Sequence, residues 1–248
     1  WYGLAYLSGF IVAIFLAKRN SQQPWSPIQK SKVEDLIAYS VLGVILGARI
    51  GYMLFYSTDR WMADPTLILR IWEGGMSFHG GLLGVTAVIF LYSRANKIKF
   101  LSLADFCAPL VPAGLFFGRL GNFVNQELYG RVTDVPWAMI FPADPLRLPR
   151  HPSQLYEAFL EGMLLFVIVY IFSRKPRLSG QVAGIFLVFY GLFRFLVEFV
   201  RQPDAQFANK EALLPIFDWM TRGQLLCVPM ILLGLWFLRN LYSTKTKE

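Results

Sequence analysis

Histidine and cysteine are nearly absent: two of each occur in 248 residues. So few ligands, in no metal-binding spacing, lead us to expect no zinc or transition-metal site and no cofactor. Cys107 and Cys227 lie in separate apolar stretches, which gives no disulfide framework and suits core packing. Neither a Gly-x-Ser-x-Gly elbow nor a P-loop occurs, so serine hydrolysis and NTP-driven transport have no local support. No internal repeat is visible, which argues against an inverted-repeat transporter. Charge is scarce too: 16% of residues are charged, against about 25% in soluble domains. An initiator Met is also missing. The chain opens at Trp1 within an apolar run, and is expected to lack its native N-terminus rather than to carry a cleavable signal peptide.

Apolar residues fill the space that charge leaves. They make up 55% of the chain, with 22 Phe, 11 Tyr and 7 Trp, and amphipathic rings favour membrane interfaces. Seven apolar segments can be drawn, roughly 2–17, 34–56, 77–93, 103–121, 153–173, 182–200 and 223–242. Each is near the ~20 residues that cross a bilayer as a helix. The pattern predicts an all-α, polytopic integral membrane protein of about seven transmembrane helices. Residues 1–248 would form a single transmembrane domain, with a small extracytoplasmic cap over 122–152. The net charge of +8 does not imply nucleic acid, because the basic residues sit in short clusters between apolar runs. One set of loops, with the tail through Lys247, holds thirteen Lys and Arg; the other holds eight, in longer connections. That bias puts the first set in the cytoplasm, the N-terminus outside and the C-terminus inside. Seven of the outer eight are Arg, with Lys210 the exception, and Arg is the better fork for phosphate.

Three arginines, Arg49, Arg119 and Arg194, fall inside or at the edge of spans. Each costs about 2.5–3.5 kcal/mol at the bilayer centre and so needs a partner. A structural ion pair, snorkelling and a functional anion site are the alternatives. Tyr190, Arg194, Glu198 and Arg201 step by four, four and three, so they share one helical face among apolar residues. Such a stripe faces protein or a wet cavity. Glu198 can pair with either arginine and leave the other for an anion, or close an Arg–Glu–Arg network.

Two further clusters stand out. Gly118-Arg119-Leu120-Gly121-Asn122-Phe123-Val124-Asn125-Gln126-Glu127-Leu128-Tyr129-Gly130-Arg131 packs guanidinium and amide donors at the end of a span. These suit a phosphate and headgroup hydroxyls. Gly74-Gly75-Met76-Ser77-Phe78-His79-Gly80-Gly81 sets one of the two histidines among four glycines. A lone His in an apolar segment is commonly a satisfied core residue; here the glycines would expose backbone and admit a substrate.

The stretch from Gly118 to Gly130 resembles the signature of bacterial phosphatidylglycerol–prolipoprotein diacylglyceryl transferases. Gly74–Gly81, Arg150-His151-Pro152-Ser153-Gln154-Leu155-Tyr156-Glu157 and Tyr190 through Asp204 resemble the same family, in order along the chain. The chain departs from it in lacking the residues that precede Trp1 and in a 131–150 loop shorter than in some members. The resemblance implies transfer of a diacylglyceryl group from phosphatidylglycerol to the lipobox cysteine of a prolipoprotein signal peptide, in the bacterial inner membrane, by a monomer. It implies that Arg119, Arg194 and His79 are essential and that Tyr190 is important. It also implies that Tyr2, Asn122, Gly130 and Glu198 matter; Arg201 joins the substrate-binding set from the polar stripe. A thiol with pKa near ~8.5 is mostly protonated at neutral pH, so His79 as base or the arginine field would help it react. The rival readings are a lipid or small-anion transporter and a structural scaffold.

Overall fold

The computed structural model describes residues 1–202 and 220–245, so Asp204, Lys210 and Lys247 lie outside the described residues. The chain is mostly helical. Among the described residues, five helical stretches are long and apolar enough to cross a membrane: Tyr2–Asn20, Lys30–Tyr56, Phe78–Ala95, Phe100–Val124 and Ser153–Ser173. Gln181–Val197 and Gly223–Arg239 are apolar but shorter. The first of these was expected to run to residue 200. It stops at Val197 because the chain then turns and bridges to Gly130 through Arg201. Its 17 residues reach about 25 Å.

The cap expected over 122–152 adds a short strand pair to the helices. In the 122–152 connection, β1 (Met139–Ile140) pairs antiparallel with β2 (Pro149–Arg150). Isolated bridges join Gly130 to Arg201 and Val132 to Arg150. Rich in Pro, which interrupts a helix, this segment satisfies part of its backbone across strands instead.

The described residues fall into two compact units, Lys18–Leu103 and the remainder. In Lys18–Leu103, helix α2 (Val33–Tyr56) packs antiparallel on α4 (Phe78–Ala95), with the short α3 (Thr58–Ala63) between them in sequence. Gly43, Gly47 and Gly51 face Gly80 and Gly84 across the contact. A Cβ on Gly51 would lie 2.8 Å from the Gly80 Cα, so small residues four apart set the interhelical distance. The glycines around His79 are thus explained by packing and turning. Gly80 and Gly81 are buried against α2, while Gly74 and Gly75 take φ of +79° in the turn before α4.

Arg49, 3% exposed, is the clamp of this unit. Its Nε donates to the Ile68 carbonyl at 3.2 Å and its Nη atoms donate to the carbonyls of Leu67, Arg70, Gly74 and Gly75. Every donor goes to the 67–75 backbone, which settles Arg49 as structural. Ser77 N bonds the Ala48 carbonyl at 2.9 Å and starts α4 beside that clamp.

In the second unit, α5 (Phe100–Cys107) leads through a 3₁₀ turn at Ala108–Leu110 into α6 (Val111–Val124). After the cap come α7 (Ser153–Glu157), a π-helical stretch (Ala158–Leu164), α8 (Leu165–Ser173), α9 (Gln181–Val197) and α10 (Arg222–Lys245). Pro152, expected near the start of the fifth segment, caps α7. Ala108, Leu165, Val169, Val182 and Phe193 form the core. Asp105 accepts from the Gly180 and Ala183 N–H groups at 2.6 and 2.7 Å and caps α9 from a distant part of the chain.

Replacing Arg49 by Met removes all of these donors and leaves carbonyls unpaired at about 1–3 kcal/mol each where they stay dry. Arg49→Met is expected to lower the melting temperature in detergent and open 57–75 to protease, with Arg49→Lys in between.

Candidate functional site

Among the described residues, six charged side chains meet in the second unit. Arg119 comes from the C-terminal half of α6, Glu157 from the end of α7 and Glu161 from the π-helical stretch. Arg194 comes from α9, with Glu198 and Arg201 just beyond it. Arg119 Nε lies 2.5 Å from Glu157 Oε2, and Arg119 Nη2 lies 3.8 Å from Glu161 Oε2. Arg194 Nη1 is 3.6 Å from both Glu157 and Glu161, while its Nη2 donates to Glu198 Oε2 at 2.9 Å. Arg201 closes the set, 3.9 Å from both Glu157 and Glu198.

Glu198 therefore serves both arginines of the stripe, and two more carboxylates join it. Burial divides the six. Side-chain exposure is 20% at Arg119, 16% at Arg194 and 13% at Arg201, but 1% at Glu157 and 0% at Glu161. The arginine side chains keep some exposure, whereas Glu157 and Glu161 are sealed from solvent. Tyr190 lies one turn before Arg194 and stacks on Phe186 at 5.6 Å.

The helix ends around the cluster are tied by neutral groups. Thr221 Oγ1 donates to Glu198 Oε1 at 3.1 Å, and Gln224 Nε2 reaches the Phe195 carbonyl at 3.4 Å. Gly223 leaves room for Glu198, since a Cβ there would sit 2.7 Å from the carboxylate and displace it. Asn122 Nδ2 donates to the Tyr2 hydroxyl, which donates on to Glu127 Oε2, each at 2.5 Å. Gln154 Nε2 bonds the Glu127 carbonyl at 2.6 Å. Tyr2 and Asn122 are thus joined to each other and to the start of the cap.

Gly130 is a backbone spacer. Its N–H bonds the His151 carbonyl at 2.9 Å, and a Cβ would lie 2.6 Å from the Val200 carbonyl oxygen. Arg131 N and Nε donate to the Val200 and Arg201 carbonyls at 2.9 and 3.0 Å, so the cap is laced to the chain beside the arginine cluster.

His79 belongs to the other unit. It is exposed in the first turn of α4, edge-on to Phe78 at 5.6 Å, and is no satisfied core histidine. Glu157 and Glu161 were given no role from sequence. Their signal was present: two carboxylates four apart in an otherwise apolar helix share one face, as the arginine stripe does. Among the described residues no group of His, Cys, Asp and Glu could hold a metal.

Comparison with known proteins identifies the family. The family described as prolipoprotein diacylglyceryl transferase matches residues 1–239. A phosphatidylglycerol–prolipoprotein diacylglyceryl transferase of Nitratidesulfovibrio vulgaris strain DP4 is 52% identical over 239 residues, covering 96% of this chain and 89% of the relative. Proteins of the same name from Vibrio campbellii and Haemophilus influenzae are 53% and 51% identical, covering 100% and 99% of this chain and 90% and 89% of theirs. The chain belongs to the prolipoprotein diacylglyceryl transferase family.

The cap has its own fixed charge pair. Arg150 Nε and Nη2 grip the buried Asp144 at 2.6 and 3.1 Å, and the guanidinium lies 4.7 Å over the Tyr129 ring. Arg150 holds the Asp144 carboxyl down to about 2. A lowered folded-state pKa stabilises above the unfolded value near ~3.9, and that contribution is lost as pH falls through about 2. Peptic cleavage within 131–149 should therefore accelerate from pH 4 to pH 2. Asp144→Asn should cleave fast throughout and flatten that dependence.

Proposed function

We propose that this chain transfers the diacylglyceryl group of phosphatidylglycerol to the lipobox cysteine thiol of a prolipoprotein signal peptide. The cysteine sulfur attacks the glyceryl carbon esterified to phosphate. The carbon–oxygen bond breaks, a carbon–sulfur thioether forms, and glycerol phosphate leaves with the bonding electrons. The substrate brings its own nucleophile, so the enzyme supplies no attacking side chain.

The observation that carries this reading is the half-open arginine cluster. Its arginine side chains keep partial exposure beside fully buried carboxylates. Arg119 and Arg194 hold the lipid phosphate and stabilise the charge that gathers on it as the bond breaks. Arg is suited to this, since it does not titrate and forks to phosphate oxygens. Tyr190, Glu198 and Arg201 complete the headgroup pocket, and Tyr2, Asn122 and Gly130 shape its mouth through the cap. His79 takes the thiol proton.

The chain works as one transmembrane domain of seven helices and as a monomer, with α9 and α10 as the sixth and seventh spans. It lies in the bacterial inner membrane with the 122–152 cap and N-terminus outside and the C-terminus in the cytoplasm, as the Lys and Arg bias favours.

In detergent with phosphatidylglycerol and a lipobox peptide, release of glycerol phosphate should require both the peptide thiol and Arg194. Cys→Ser in the peptide, or Arg194→Ala in the protein, should abolish it. Release without the thiol would contradict transfer, and lipid binding without release would favour the transporter. His79→Gln should cost about 10²-fold or more at neutral pH and recover towards pH 9, where the thiol ionises unaided. A loss that alkaline pH does not restore would remove the base role.

A further inference from the structure

Glu157 and Glu161 have no part in the transfer as written, yet their placement is specific. Glu157 is the hub of the cluster: its Oε2 meets Arg119 and Arg194 at 2.5 and 3.6 Å, and its Oε1 meets Arg201 at 3.9 Å. Glu161 faces Arg119 and Arg194 at 3.8 and 3.6 Å. It sits in the seven-residue π-helical stretch, a distortion frequent at functional sites. The next residue fixes that stretch against α6. A Cβ on Gly162 would lie 2.7 Å from the Phe116 Cβ, so the helix bearing Glu161 is pressed onto the one bearing Arg119. With Glu198, three carboxylates balance three guanidiniums.

The leaving group makes that balance matter. The bound lipid is a phosphodiester with one negative charge. Once the carbon–oxygen bond breaks it is a phosphomonoester, near two negative charges at neutral pH. Three uncompensated arginines would hold that product more tightly than the substrate.

We propose that Glu157 and Glu161 are positioning residues with a second duty in product release. They hold Arg119 and Arg194 at the spacing the phosphate needs, and their charge keeps the pocket from retaining glycerol phosphate. The inference rests on the reading that those arginines bind the lipid phosphate.

The test uses the full chain in detergent with phosphatidylglycerol and lipobox peptide, with free glycerol phosphate added as inhibitor. Glu157→Gln should lower kcat roughly tenfold to a hundredfold. It should also lower, several-fold, both KM for the lipid and the inhibition constant of glycerol phosphate. Glu157→Asp keeps the charge and should return the inhibition constant to the wild-type value. Melting curves give the folded fraction. If Glu157→Gln does not fold, Glu161→Gln carries the same measurement. A fall in kcat with KM and inhibition unmoved, or in step with folded protein, makes the glutamates a structural brace and overturns the proposal. Arg194→Ala run beside them separates the two claims. If it turns over normally, the lipid-phosphate reading fails, whatever the glutamates do.

Discussion

A guanidinium carried on an apolar helix has to be met by oxygen, and the way each arginine is met decides what it can do. Leaving a buried charge uncompensated costs several kcal/mol. Arg49 is met by backbone carbonyls of 67–75, which take all its donors and make it a clamp. Arg119, Arg194 and Arg201 are met by Glu157, Glu161 and Glu198, side chains that balance charge from one side. The same residue type is thus enclosed by backbone carbonyls in one place and paired with carboxylates in another. The difference is set by whether the partners surround the fork or back it.

Much of the surrounding fold holds that half-open arrangement in place. Gly162 lets the π-helical stretch press on α6, and Gly223 leaves room for the Glu198 carboxylate beside the start of α10. Asp105 caps α9, the helix that carries Arg194. The cap is fastened at several places. The Tyr2–Asn122–Glu127 chain ties its beginning to α1 (Tyr2–Asn20), and Gly130 with Arg131 laces it to Val200 and Arg201. Within the cap, Asp144 and Arg150 form a self-contained pair. A loop built this way can shape a pocket mouth without occupying it.

Helix positions were legible in the sequence because lipid imposes length and apolarity on every span. Each of the seven apolar segments corresponds to a helical stretch within a few residues. The face shared by Arg194, Glu198 and Arg201 was legible for a similar reason: helical spacing alone puts them together. What escaped is what depends on a partner chosen in three dimensions. Nothing local to Arg49 names the carbonyls of 67–75. Glu157 and Glu161 gain meaning only opposite α6 and α9. The glycines around His79 read as room for substrate, whereas the backbone of α2 lies against two of them. The two-residue strands of the cap have no periodicity to detect.

The central claim is that the arginine cluster recognises the charged headgroup of the lipid. The most direct measurement is retention of phosphatidylglycerol, against diacylglycerol with no headgroup, by purified wild type, Arg119→Ala and Arg194→Ala under native mass spectrometry. The account predicts that wild type retains phosphatidylglycerol in preference to diacylglycerol and that either substitution erases the preference. Equal retention of phosphatidylglycerol by folded wild type and both variants would contradict it.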